Sequence, residues 1–399
     1  MKQRLLFIVT ASALLTLIPL SPDTARAQIT LGQSCAMSGP TSFLGIETNR
    51  GAAAYFGKYA QDITLTVLDD KYEPEKCIEN TNKFLTDKVT ALFGYLGTPT
   101  SKVALPFANT NKTIFFGAFT GAEFLSDHKT YPYSFSIRTG YDTEIANMIR
   151  HLKEDAGITK IALFVQRDSF GLAGVTGAVN AVQKIKGVEI IPPVPEIPKD
   201  TAPKEVWDAF WEIVPNFQRN TIAVGRDARK ISGNKNVEAV ILMGTYRACA
   251  AAINLWKQLN FNAIFLNISF VGSRALAESL EGDAKNVLIS QVVPNPWDAS
   301  VPVVKEYQEA VGNGNYEFVS VESYIAAKVI HKAIKDAGAS VSSESLKKQL
   351  ESMSGYDAGG FTVSFGPEDH RGSDTVYLTR IIKNGKDIKF EYIQKIAKE

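Results

Sequence analysis

The chain has 399 residues, 45% hydrophobic and 10% aromatic, with 43 Lys+Arg against 42 Asp+Glu and a formal charge of +1. That much apolar material calls for two domains of ordinary size and excludes a disordered chain. The near-zero charge excludes the basic face of a nucleic-acid or anionic-membrane binder, and three cysteines are too few for a disulfide scaffold.

Residues 1–27 read as a secretory signal peptide. Lys2 and Arg4 form a basic start, Leu5 to Leu20 is an apolar run, and Ala25-Arg26-Ala27 has the small-x-small pattern of a cleavage site. Cleavage after Ala27 would leave 372 residues with 40 basic and 41 acidic side chains, a mature charge of −1. No later segment is long and apolar enough to span a bilayer, so the expected location is the periplasm.

Strand-like runs follow at Ile29–Gln33, Ile63–Leu68, Ala91–Tyr95, Ile114–Ala118, Ile161–Gln166, Ala239–Met243, Ala263–Ile268 and Val287–Val293. They are nearly continuous apolar stretches rather than alternations, as parallel strands buried on both faces require. Helical patterns occupy about 46–59, 74–86, 100–109, 143–154, 171–186 and 247–260. The alternation predicts an α/β fold of doubly wound parallel sheets, and eight or more strands predict two of them, hence two lobes. The stretch Ile191–Pro203 is too rich in proline for regular structure. It leads into a helix carrying Trp207, Phe210, Trp211 and Val214, read as docked on its own lobe rather than as an exposed partner surface.

Cys35 ends the first strand unit and Cys77 opens the second helix, so a Cys35–Cys77 bridge is expected if those units are neighbours. Such a bridge would contribute about 3–4 kcal/mol in the chain-entropy model. The alternative is three buried thiols, Cys249 included.

The chemistry points to binding. After each strand comes a loop of Gly, Ser, Thr and aromatic residues: SCAMSGPTSFLG, LGTPTS, FTGAEFL, RDSFGLAG, GTYRACA and SFVGS. The carboxyl edge of a parallel sheet is where ligands bind, and helix N-termini there offer free N–H groups. Thr98, Thr100, Ser101 and Thr120 add hydroxyl donors, and Phe43, Phe119, Phe170, Tyr246 and Phe270 supply apolar walls. An enzyme is not expected. There is no G-x-S-x-G elbow, no phosphate loop and no dinucleotide fingerprint, and His128, His151, His331 and His370 lack metal-ligand spacing. No cofactor or metal is therefore expected. Asp69-Asp70 is read as turn-capping rather than as a catalytic pair.

A family resemblance appears in the same loops. Its carriers are AMSGP at 36–40, LDDKYEPEKCIENTNKFL at 68–85, ALFGYLGTPTSKVALP at 91–106, FFGAFTGAEFL at 115–125 and DSFG at 168–171. FLNISFVGS at 265–273, QVVPNPWD at 291–298 and GGFTVSFGPEDHRGSD at 359–374 complete them. The chain resembles extracytoplasmic solute-binding proteins of the branched-chain amino-acid ABC importer family, with the type I periplasmic binding fold. The resemblance spans essentially the whole mature chain. It implies two lobes joined by three crossings, about 28–139 with 294–360 and 140–293 with 361–399. It further implies a small-molecule ligand bound between the lobes by hinge closure, ABC permease subunits as partners, and a monomer that contacts no nucleic acid. A sensory module presenting its ligand to a membrane receptor or kinase is the alternative.

Carried over, Gly97, Thr98, Pro99 and Thr100 match the loop that holds a ligand's α-carboxylate, with Ala118, Phe119 and Thr120 as its second part. Ser38 and Leu44 lie on the side-chain pocket loop. Phe170 and Tyr246 match the closing aromatics of the second lobe, and Phe270 adds a wall. Ser269 stands where amino-acid binders place a carboxylate against the ligand's ammonium. A serine cannot supply that charge, and a buried ammonium without it costs several kcal/mol. Either another acid, such as Asp168 or Glu123, serves instead, or the ligand is an organic acid, aromatic acid, amide or similar solute rather than a leucine-type amino acid.

Overall fold

The apolar runs become strands of two separate sheets. The computed structural model describes residues 29–312, 314–338 and 340–397. The expected signal segment and its cleavage site lie outside the described residues. In chain order come β1 (Ile29–Cys35), α1 (Ser42–Tyr59), β2 (Ile63–Asp69), α2 (Pro74–Thr86), β3 (Ala91–Phe93), α3 (Thr98–Thr110), β4 (Ile114–Phe116) and β5 (Ser134–Phe135). These five strands form an all-parallel sheet in the order β2-β1-β3-β4-β5. Side-chain alternation along β1 sends Gly32 and Ser34 toward α2, against Phe84 and Asn80, and Gln33 toward Asn49 on α1.

That alternation decides the cysteines. Cys35 points to the α1 face, with its Sγ 3.7 Å from the Gly45 carbonyl. Cys77 packs on the other face, with its Sγ 3.5 Å from the Thr100 carbonyl. The expected Cys35–Cys77 bridge is therefore replaced by free, buried thiols, and Cys249 is a third. Neighbouring βα units brought the residues near each other, but the sheet lies between their side chains.

The chain then crosses to the second sheet through α4 (Tyr141–Ala156), β6 (Lys160–Gln166), α5 (Ser169–Lys184), β7 (Glu189–Ile190), α6 (Lys204–Ile213), β8 (Asn216–Phe217) and α7 (Gly225–Gly233). It continues through β9 (Ala239–Met243), α8 (Tyr246–Gln258), β10 (Ile264–Asn267), α9 (Ser273–Ser279) and β11 (Val287–Gln291). It returns to the first sheet's side as α10 (Pro302–Val311), α11 (Phe318–Asp336), α12 (Ser343–Glu351) and the small pair β12 (Tyr356–Asp357) and β13 (Thr362–Val363). There α11 lies so close to α1 that a Cβ on Gly51 would sit 1.9 Å from the Ser320 carbonyl oxygen. The third passage leads to the hairpin β14 (Tyr377–Asn384) and β15 (Asp387–Ile393). The second sheet runs β15-β14-β11-β10-β9-β6-β7, with β8 beside β6 and with β14 and β15 antiparallel.

The result is two doubly wound lobes threaded three times, as the resemblance implies. All eight expected strands form. The helix at 204–213 docks on its own lobe through buried Phe210 and Trp211. The terminal hairpin was not foreseen, because its alternating residues are partly polar.

Candidate ligand-binding cleft

The carboxyl ends of β1–β4 face those of β6, β9 and β10, and the loops beyond them interlock. Two acids organise the first-lobe side. Asp69 accepts from the Met37, Ser38 and Lys71 N–H groups at 2.9, 3.3 and 2.9 Å and from the Ser38 hydroxyl at 2.5 Å. Burial works to raise its carboxyl, but these donors outweigh it and leave it below its ordinary value. Asp70 accepts from the Ser34 hydroxyl at 2.7 Å and the Tyr72 N–H at 2.8 Å, while burial pushes it up to about 6. The pair are loop-builders, as the capping reading expected.

The loop that they hold places Lys71 and Tyr72 at φ 55° and 61°, a strained conformation for side-chain-bearing residues. It drives the Tyr72 ring, fully buried, over Gly97. Gly97 has φ +93°, and a Cβ there would lie 2.1 Å from that ring, so glycine alone fits.

Gly97 caps α3, with Pro99 in its first turn. The Thr98 and Thr120 hydroxyls meet at 2.7 Å, both fully buried. Thr100 turns its hydroxyl onto the Gly97 carbonyl at 3.0 Å and onto the Leu96 carbonyl. A bridge between Leu96 and Phe119 aligns the two loops. Ala118 packs behind them with Leu92 and Tyr95, away from Phe119. Leu44 packs against Gly272 of the second lobe, where a Cβ would come within 2.6 Å.

Aromatic rings close the interface. Phe270 lies 5.3 Å from Phe119, 4.7 Å from Phe170 and 6.3 Å from Tyr72 between ring centroids. Tyr246 meets Phe43 at 5.7 Å, and its hydroxyl donates to the Pro40 carbonyl at 2.8 Å. Thus Ser38, Leu44, Gly97, Thr98, Phe119, Thr120, Phe170, Tyr246 and Phe270 are gathered at one interface between the lobes.

Ser269 is tied to a charge cluster that sequence reasoning missed. Its N–H donates to Glu144 Oε2 at 3.1 Å and its hydroxyl to Glu144 Oε1 at 3.0 Å, and Arg138 Nη2 donates to that hydroxyl. Arg138 and Glu144 are wholly buried at 3.3 Å, and Glu322 of α11 stands 3.3 Å from the other guanidinium nitrogen. The Arg138 guanidinium also faces the Phe119 and Tyr141 rings, at 5.1 and 5.8 Å. Burial pushes Glu322 up to about 7, opposed by Arg138 and reinforced by Glu144. The signal available in the sequence was a lone arginine in YSFSIRTG, at an expected crossing.

The two alternative acids are engaged elsewhere. Asp168 caps α5 through the Phe170 N–H at 2.9 Å and accepts from Gln166 Nε2 at 2.7 Å and Arg219 Nη1 at 3.3 Å. Glu123 pairs with Arg371.

At the mouth, Arg219 donates to Glu73 Oε2 at 2.7 Å. Asn220 donates to the Lys71 carbonyl at 3.1 Å and to Glu73 Oε1 at 2.8 Å, and accepts from the Thr41 hydroxyl at 2.9 Å. Lys102 pairs with Asp200 of the proline-rich segment at 3.2 Å. Beside that pair a cavity of about 440 Å³ is lined by Leu172, Trp207 and Trp211 among others.

The chain matches the family model described as "Periplasmic binding protein" over residues 28–386. No curated protein matches it. Among solved structures it resembles a possible leucine/isoleucine/valine-binding protein from Rhodopirellula baltica SH 1, at 32% identity and a TM-score of 0.79, covering 92% of this chain and 97% of that one. A substrate-binding periplasmic protein from Ralstonia solanacearum shares 25% identity at a TM-score of 0.76, over 91% of this chain and 100% of its own. The branched-chain amino-acid transporter substrate-binding protein LivJ from Streptococcus pneumoniae, solved with isoleucine, shares the fold at 14% identity and a TM-score of 0.72, over 92% and 99%. With most of its length matched by the family model and the cleft geometry in place, the chain belongs to the periplasmic binding protein family.

Proposed function

We propose that this protein is the extracytoplasmic solute-binding component of an ABC importer, exported to the periplasm and cut after Ala27. It binds a small organic solute between lobes 28–139 with 294–360 and 140–293 with 361–399, and delivers it to a membrane permease as a monomer, without turnover. Thr98 and Thr120 hold a polar end of the solute at the α3 N-terminus. Phe119, Phe170, Phe270 and Tyr246 cover its apolar part. Closure is favoured because only the shut cleft lets both lobes touch the solute.

The observation that carries the solute class is the commitment of Ser269, Asp168 and Glu123 to other partners. A ligand ammonium brought here would find none of the three acting as a free counter-charge. The reading is therefore a carboxylate, aromatic acid or amide lacking an α-ammonium. Mass spectrometry of small molecules released from the purified protein, with small-angle scattering before and after their return, tests it. The expected result is a released organic solute whose return compacts the protein. Release of leucine, isoleucine or valine, or no compaction with any solute, would overturn it.

A further inference from the structure

Tyr72 and Gln166 meet across the lobe interface, from the first and second lobes, and both are fully buried. Gln166 Nε2 donates to Asp168 Oδ2 at 2.7 Å and to the Tyr72 hydroxyl at 3.3 Å. A carboxylate only accepts, so this contact fixes which end of the amide is nitrogen. The amide oxygen, Gln166 Oε1, is then a buried acceptor with no donor among the described residues. The Tyr72 hydroxyl accepts from Gln166 and keeps its own proton to give. A buried acceptor left unmatched is costly and rare, which makes it informative.

The surroundings set the charge of whatever matches these groups. Asp168 beside the amide is already paired with Arg219, 3.3 Å away. Arg219, with its guanidinium carbon 6.0 Å from the Tyr72 ring centroid, is paired in turn with Glu73, so neither an anion nor a cation finds an uncommitted counter-charge here. The site also carries stored strain: Lys71 and Tyr72 are both held in the left-handed region to bring the hydroxyl here. The adjoining walls are Phe270 and Phe170.

We infer that Gln166 Oε1 and the Tyr72 hydroxyl form an acceptor–donor pair that recognises an uncharged carboxamide head on the solute, its N–H given to Gln166 and its C=O received by Tyr72. The inference rests on the reading of this interface as the solute cleft, and narrows the solute class to amides.

The test is calorimetric titration of the full mature protein and its Gln166→Ala and Tyr72→Phe variants with benzamide, benzoate and benzylamine. Melting of the unliganded variants reports folding, and Tyr72→Phe keeps the ring should Gln166→Ala fail to fold. Benzamide should bind wild type most tightly of the three. Each variant should lose about tenfold in benzamide affinity, with benzoate changing by less than about threefold. An equal loss for all three solutes would mean that the pair serves closure alone and would overturn the inference. So would a preference for benzoate or benzylamine, or unchanged benzamide binding in the variants. Binding of other organic solutes with none of these three would overturn the head-group assignment and leave the cleft reading standing. Failure of every amino acid, organic acid and amide to bind would overturn the cleft reading itself.

Discussion

Two ion clusters hold the lobes in register, and they differ in what surrounds them. Arg138, Glu144 and Glu322 lie in the interior, drawn from the first crossing, from α4 and from α11. Arg219, Asp168 and Glu73 lie at the mouth, where the arginine keeps 22% and the Glu73 carboxylate 37% of its surface. Losing one member of the interior cluster strands charge away from water, which is expensive. Parting the mouth cluster hands its members to solvent at little cost. That division suits the proposed role, in which the crossing stays intact while the cleft opens and shuts.

The largest effect should come from Arg138→Met. It leaves Glu144 and Glu322 buried without their cation, and denaturant unfolding should report a loss of about 3–5 kcal/mol. A loss below about 1 kcal/mol would erase the distinction between the clusters. Gly97→Ala comes next. Its Cβ meets the Tyr72 ring at 2.1 Å, at a φ of +93°, so a loss of about 1–3 kcal/mol is expected, with a cleft that no longer shuts fully in scattering.

Protonation sharpens the comparison further. Glu322 is raised by burial from an ordinary 4.5 to about 7, with Arg138 opposing and Glu144 adding. An acid raised on folding keeps its proton while the unfolded chain has lost it. Its contribution is therefore fully present below about 4.5 and is lost as pH rises toward 7. Unfolding free energies measured across that window should fall less steeply in Glu322→Gln than in wild type. Equal slopes would remove Glu322 from the titration. The smallest effect on folding belongs to Arg219→Ala, about 1–2 kcal/mol, because Glu73 keeps 37% of its surface and Asp168 keeps its bonds from Gln166 and the Phe170 N–H. Scattering should nonetheless show a larger radius of gyration for the ligand-free variant, and an unchanged radius would deny the mouth cluster its role in closure.

Much of this was legible in the sequence, for identifiable reasons. Runs such as IALFVQ and AVILM announce doubly buried parallel strands, and the glycine- and hydroxyl-rich loops after them announce the edge that meets the other lobe. Ser269 was legible as a missing carboxylate, but its tie to Glu144 and Arg138 was not, because those partners lie 125 and 131 residues away. Tyr72 and Gln166 carried no signal of their own. Their meeting depends on two left-handed residues and on the docking of one lobe against the other. The Cys35–Cys77 pairing failed on a point that spacing does not encode, the face of β1 from which each thiol is seen.

The account stands most directly on one comparison of solutes differing only in the α-ammonium. Calorimetric titration of the mature protein with 3-phenylpropionamide and phenylalaninamide, and with 4-methylpentanamide and leucinamide, supplies it. In each pair the account predicts binding of the des-amino amide and at least about tenfold weaker binding of the amino amide. Tighter binding of leucinamide or phenylalaninamide than of its des-amino partner would contradict it.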